Sequence, residues 1–143
     1  MTPPLRPSPV LRALMAAALL LAVGGCNSGS DDDAPAKSTN LTITVTADEG
    51  ATPVEMKLKC DPPGGDHPQA AEACAKIKAA GLKVFDPVPK DQACTMIFGG
   101  PQTATVIGSY DGVPINATFN RSNGCEIDRW EKLGTTVFNV PLQ

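Results

Sequence analysis

The 143-residue chain has one histidine, one tryptophan and one tyrosine, and aromatic residues make up only 4% of it. Serine- and cysteine-type hydrolases need a base beside the nucleophile, and the lone His67 lies in a Pro- and Gly-rich turn where local hydrogen bonding is its expected use. Trp130 and Tyr110 stand too far apart to form an aromatic binding platform. A Gly-rich phosphate loop and a paired-carboxylate site are both missing. Positive charge is scarce as well: 12 Lys and Arg face 15 Asp and Glu, leaving no basic face to neutralise phosphates, so nucleic acid is excluded as a partner. The apolar run Ala13 to Val23 falls short of the roughly 20 residues that a membrane-spanning helix requires.

That run does suit an export signal, since Arg6 and Arg12 precede it. It ends in Val23-Gly24-Gly25-Cys26, and small residues before a cysteine resemble the bacterial lipobox, in which the cysteine is acylated and becomes the new N-terminus. The expectation is a signal peptide over residues 1–25 and a lipid anchor at Cys26 holding the protein on the outer face of the cell membrane. Plain secretion with Cys26 as an odd thiol is the alternative. Loss of residues 1–25 removes two arginines and no acid, leaving 10 basic against 15 acidic residues and a net charge of −5. Residues 26–40 offer almost nothing to bury and are expected to be a solvated tether, with Asp31-Asp32-Asp33 a hydrated charge run and not a calcium site. Residues 41–143 then form one small domain, marginal in core volume and in need of staples.

Four cysteines remain there, Cys60, Cys74, Cys94 and Cys125, and in an oxidising compartment an even count reads as two disulfides, with three pairings open. Their spacings lack the paired two-residue gaps of a zinc site, so no metal is expected. Leu41 to Thr46 and Val54 to Lys59 alternate apolar and polar residues as half-buried antiparallel strands do. A helix is expected from Pro68 to Ala80, capped by Asp66 or His67, stopped by Gly81, and packing Ala70, Ala73, Cys74 and Ile77 inward. Leu82 to Gln92 reads as irregular connection. Thr103–Tyr110 and Val113–Phe119 flank an Asp111-Gly112 turn as a hairpin, with Pro114 favouring a sheet edge. Glu126 to Leu133 is expected to be one or two helical turns stopped by Gly134, and Thr135 to Val140 a last strand.

Between these elements lies Cys94-Thr95-Met96-Ile97-Phe98, closed by Gly99-Gly100-Pro101. On composition alone Met96-Ile97-Phe98 is a short buried strand.

The run Cys60-Asp61-Pro62-Pro63-Gly64-Gly65-Asp66-His67-Pro68, followed after four residues by Ala73-Cys74-Ala75-Lys76-Ile77, resembles the signature of the subtilisin inhibitor-like family of secreted protease inhibitors, departing only at Ile77, where leucine is usual. Cys94 to Phe98 resembles that family's reactive loop, and Ser122-Asn123-Gly124-Cys125 and Thr136-Val137-Phe138 resemble its closing segments. The resemblance implies an α+β fold, a five-stranded antiparallel sheet with two short helices. It also implies the disulfides Cys60–Cys74 and Cys94–Cys125, and usually a homodimer. It implies no enzyme and no cofactor, but a substrate-like inhibitor whose partner is a subtilisin-like or chymotrypsin-like serine protease and whose scissile bond is Met96-Ile97. Met96 would then fill the specificity pocket from a loop made of Cys94, Thr95, Phe98, Gly99 and Gly100. Thr95 stands where the family often has proline, and Gly99-Gly100 resembles a one-residue expansion replacing a stiffer acidic-Pro step, which leads to an expectation of slack. Two other readings compete: a surface lipoprotein that keeps the fold as a non-inhibitory binding module, and a small exported enzyme, for which no nucleophile and base fall together.

Overall fold

Threonine at alternate positions gives residues 40–46 one face for water and one for packing, and in the computed structural model, which describes residues 37–141, this segment is the central strand β1 (Asn40–Thr46). It pairs antiparallel with β2 (Val54–Cys60) on one side and with β4 (Thr103–Tyr110) on the other. Across the three strands Ile43 lies opposite Met56 and Val106, and Leu41 opposite Leu58 and Gly108, so the apolar sets fall on the same face. β5 (Val113–Phe119) returns beside β4 through a turn in which Asp111 (φ 50°) and Gly112 (φ 79°) both have positive φ, the conformation that a tight hairpin demands. Pro114 sits on this edge strand, where its missing N–H leaves no ladder bond unmade.

The fifth strand is not the one read from composition. It is β3 (Pro63–Gly65), paired with β2 at the opposite edge in the antiparallel order β3-β2-β1-β4-β5. Pro-Gly-Gly has little strand propensity. Gly65 adopts φ 98°, and a side chain there would collide with the Lys57 carbonyl, so only the bare backbone comes close enough to pair. The Asp66 carboxylate, in addition, accepts from the Lys57 amide.

Helix α1 (Ala70–Ala80) buries Ala73 and Ile77 and ends where Gly81 takes φ 72°. It begins two residues later than expected, and neither Asp66 nor His67 occupies the cap position, which Gln69 holds without a side-chain bond. His67 acts from outside the helix: its Nδ1 accepts from the Gln69 amide (3.1 Å), so Nε2 carries the proton and donates to the Val137 carbonyl (2.9 Å). A short 3-10 turn, Leu82–Phe85, interrupts the expected irregular connection and buries Val84 and Phe85.

Helix α2 (Gly124–Phe138) contains the expected short helical segment, interrupted at Gly134 (φ 60°, ψ −163°) where a stop was expected, but beyond that break helical turns take the place of the expected terminal strand. Trp130, Leu133 and Val137, at spacings of three and four, are fully buried with Phe138. Packing overrides the strand propensity of Thr135-Thr136-Val137, because the helical turns after the Gly134 break bury Val137 and bring Phe138 against Trp130 (4.3 Å between ring centroids) and Phe119 (5.2 Å). Arg129 ties this helix down: Nε donates to Val84 O (2.9 Å), Nη1 to Thr118 O (2.7 Å), and the guanidinium lies 4.1 Å above the Phe119 ring. Burying large side chains of this kind contributes about 1.5–3 kcal/mol each. Together they make a two-layer α+β domain, helices on one face of the sheet.

The fold begins slightly before Leu41. Thr39 is buried, accepting from the Cys60 amide with its carbonyl (3.2 Å) and from the Asp111 amide with its hydroxyl (3.1 Å). Both disulfides join the expected partners, Cys60 with Cys74 and Cys94 with Cys125. The signal segment 1–25, the acylation residue Cys26 and most of the tether lie outside the described residues. Among the described residues no helix is long and apolar enough to cross a membrane.

Candidate functional site

From Ala93 to Gly100 the chain has no regular structure and carries no charge. Met96 is 93% exposed, Phe98 72% and Ile97 55%, so the apolar triplet lies on the surface and is not the buried strand that its composition suggests. Among the described residues the backbone groups of Met96, Ile97 and Phe98 make no hydrogen bond. Backbone N–H and C=O groups left open in this way must find water or another chain. Large exposed apolar side chains beside them mark a surface that another molecule completes.

The flanks of the triplet are fixed, all by one short segment, residues 121–125. On the N-terminal side Cys94 is bonded to Cys125, and the Gly124 amide donates to the Thr95 carbonyl (2.9 Å). A side chain at residue 124 would overlap the Thr95 hydroxyl, so glycine is what allows this approach. On the C-terminal side the Gly99 amide donates to the Arg121 carbonyl (2.8 Å), and Arg121 Nε donates back to the Gly99 carbonyl (2.8 Å). The slack expected of Gly99-Gly100 is therefore taken up. A Cβ on Gly99 would stand 2.8 Å from Ile127 Cδ1 and Cγ1, and Gly100 takes φ 128° over the side chain of Gln102, which is 1% exposed. Here the glycines serve close packing.

The 121–125 segment is itself held by helix α2. The Asn123 side chain accepts from the Glu126 amide (3.0 Å) and caps the helix, while Asn120 Oδ1 accepts from the Ser122 amide (3.0 Å) in a tight turn just before it. An exposed loop is thus positioned by the start of a helix whose other end is core.

The family resemblance pointed to Cys94, Thr95, Met96, Ile97, Phe98, Gly99 and Gly100, and in the structure all of them lie in this one loop, with Met96, Ile97 and Phe98 exposed. It does not bring His67 to them, because that ring is buried between the start of α1 and Val137. Arg121, Gln102, Asn123 and Gly124 support the loop and were not read as doing so. Only Asn123-Gly124, a cap signal before the apolar stripe of α2, carried a readable hint; a single arginine in a loop carries none. Among the described residues no cluster of His, Cys, Asp and Glu could hold a metal ion.

Comparison with known proteins fits this geometry. The family model described as Subtilisin inhibitor-like matches residues 36–123. Subtilisin inhibitor-like protein 1 of Streptomyces cacaoi is 37% identical over 81 residues, 52% of this chain and 70% of its own length. The subtilisin inhibitor of Streptomyces violaceus is 34% identical over 92 residues, 59% of this chain and 62% of its own length. Subtilisin inhibitor-like protein 15 of Streptomyces bikiniensis is 31% identical over 108 residues, covering 68% and 88%. Among solved structures, the crystal structure of Streptomyces caespitosus sermetstatin in complex with Bacillus licheniformis subtilisin matches over 71% of this chain and 96% of that one, at 22% identity and a TM-score of 0.45.

Proposed function

Since the chain belongs to the subtilisin inhibitor-like family, we propose that it is a substrate-like inhibitor of subtilisin-type and chymotrypsin-type serine proteases, with Met96-Ile97 as the bond offered for cleavage. The observation that carries this reading is the contrast along the loop: three exposed residues with free backbone groups, fixed at both flanks by residues 121–125. A protease cleft binds an extended chain through main-chain hydrogen bonds, and a loop already held in place loses little entropy on entering it. Met96 fills the specificity pocket. Its unbranched thioether suits a deep apolar pocket and has nothing to offer the anionic pocket of trypsin-like enzymes. Ile97 is β-branched and favours the extended backbone that the cleft accepts.

The protease's serine attacks the Met96 carbonyl carbon, the bond to the Ile97 nitrogen breaks, and the nitrogen leaves as an amine with the proton relayed by the enzyme's base. Because both ends of the cut remain attached to one scaffold, the amine can return and re-form the peptide bond before water hydrolyses the acyl-enzyme. The inhibitor turns over slowly for that reason. On the same reading an acyl group on Cys26 holds the domain on the outer face of the membrane, which the mass of the mature protein tests directly.

The function is tested by titrating subtilisin and chymotrypsin with the purified full chain, followed by mass spectrometry of the mixture. Stoichiometric inhibition with at most a single cut, between Met96 and Ile97, is expected. Met96→Lys should move preference towards trypsin-like enzymes. A folded, uncut protein that inhibits neither enzyme would leave the fold as a binding module only, and a variant and parent that inhibit the same panel equally would remove Met96 from the specificity role.

A further inference from the structure

We infer that Arg121 is a positioning residue for the departing half of the loop, the residue that decides whether the Ile97 amine returns to the acyl-enzyme or drifts away. The inference rests on the inhibitor reading above and concerns the step that separates an inhibitor from a substrate.

After the bond to the Ile97 nitrogen breaks, the two halves are held very differently. The Met96 half is bonded covalently to the protease serine, and one and two residues back it is tied by the Thr95–Gly124 hydrogen bond and the Cys94–Cys125 disulfide. The Ile97 half has no covalent tie nearby. Ile97 and Phe98 make no backbone bond among the described residues, so the first attachment is at Gly99, and both of its bonds are to Arg121. One residue grips one peptide on two sides, through its own carbonyl and its side chain. Beyond Gly99, Gly100 makes no hydrogen bond among the described residues and only packs over the side chain of the buried Gln102.

The burial of Arg121 supports the same assignment. It is only 7% exposed, no carboxylate pairs with it among the described residues, and its Nη1 lacks a partner. A cation buried on these terms costs folding free energy, so stability does not explain its presence. The one described hydrogen bond that its side chain makes goes to the loop.

Arg121→Met keeps most of the buried stem and removes the donor. Relative to parent, the variant is expected to bind subtilisin at first almost as tightly and then to be hydrolysed at Met96-Ile97 at least about tenfold faster, the scale of one lost hydrogen bond to a charged donor. Its Tm should be unchanged or slightly higher. A hydrolysis rate equal to parent overturns the inference. So does a rise accompanied by a fall in Tm and cuts throughout the chain, because global unfolding would then be the cause. If the variant does not fold, amide exchange in parent protein cut at Met96-Ile97 decides the matter: a Gly99 amide still protected supports the grip, and one exchanging as fast as an exposed amide overturns it. A parent that neither inhibits nor is cut removes the inhibitor reading itself, and is told apart because parent and variant then fail alike.

Discussion

Cys60–Cys74 joins the end of β2 to α1, two elements that β3, the Asp66 carboxylate and the His67 ring already hold against the core. Cys94–Cys125 joins an exposed loop to the first turn of α2, where the other ties described are two backbone bonds, one from Arg121, and one from Gln92 Nε2 to the Cys125 sulfur (3.4 Å). The sequence separations they close, 14 and 31 residues, restrict the unfolded chain by similar amounts, about 3 and 4 kcal/mol in the chain-entropy account. Stability alone would therefore rank the two bridges almost equal. What differs is the folded state left behind when each is removed: a redundant scaffold in one case, a loop short of its main tether in the other.

The largest effect is expected from opening the second bridge. Cys94→Ser with Cys125→Ser should turn the inhibitor into a substrate, with cleavage at Met96-Ile97 faster by on the order of 100-fold, the scale of losing a preorganised geometry. The check is the time course of subtilisin activity after mixing, at a denaturant-free temperature where both proteins are folded by Trp130 fluorescence. Inhibition as lasting as that of the parent would mean that residues 121–124 hold the loop without the disulfide, and the comparison would fail there.

Opening the first bridge should do the reverse. Cys60→Ser with Cys74→Ser is expected to lower unfolding free energy by about 3 kcal/mol while leaving inhibition by the folded fraction within about threefold of the parent, since surplus contacts still hold β2 to α1. Equilibrium unfolding and an inhibition titration on the same sample separate the two quantities. A large loss of inhibition by folded protein would show that the scaffold end communicates with the loop.

Why one end was easier to read in the sequence follows from the same contrast. β1, β2, β4 and β5 carry period-two patterns because one face of each is core, and the face of α1 was readable from Ala73 and Ile77. β3 was hidden because Gly65 pairs by backbone proximity, which leaves no apolar pattern behind. Thr135 to Val140 misled because β-branched residues favour strands locally, while the stripe Trp130, Leu133, Val137 that makes them helical runs across a glycine break. The loop residues were found through a family resemblance, since apolar composition by itself pointed inward. Of their supports, Arg121 acts through hydrogen bonds to a residue distant in sequence and Gln102 through close packing against Gly100, and no periodicity records either.

The smallest effect distinguishes the two ends by pH. Tyr110 lies half-buried at the end of β4, bordering the cleft that Cys60, Cys74, Asp61, Lys78 and Asp111 also line. Burial raises its hydroxyl above the ordinary value of 10.0, and the negative charges of Asp111 and then Asp61 push it the same way. The fold therefore prefers the neutral phenol, and the unfolded chain ionises first. Tyr110's contribution to stability is fully present below about pH 10 and declines as pH rises through its folded-state value. With much of the ring still open to water the slope is shallow. Denaturation midpoints from pH 8 to 11 should fall slightly faster for the parent than for Tyr110→Phe, whose other titrating groups are the same and cancel in the difference. The grip on Met96-Ile97 involves no group near Tyr110, so the cleavage rate of folded parent and Tyr110→Phe should stay equal over that range once corrected for the protease's own pH profile. Parallel midpoints would remove Tyr110 from the stability of the scaffold end, and diverging cleavage rates would break the separation between scaffold and loop.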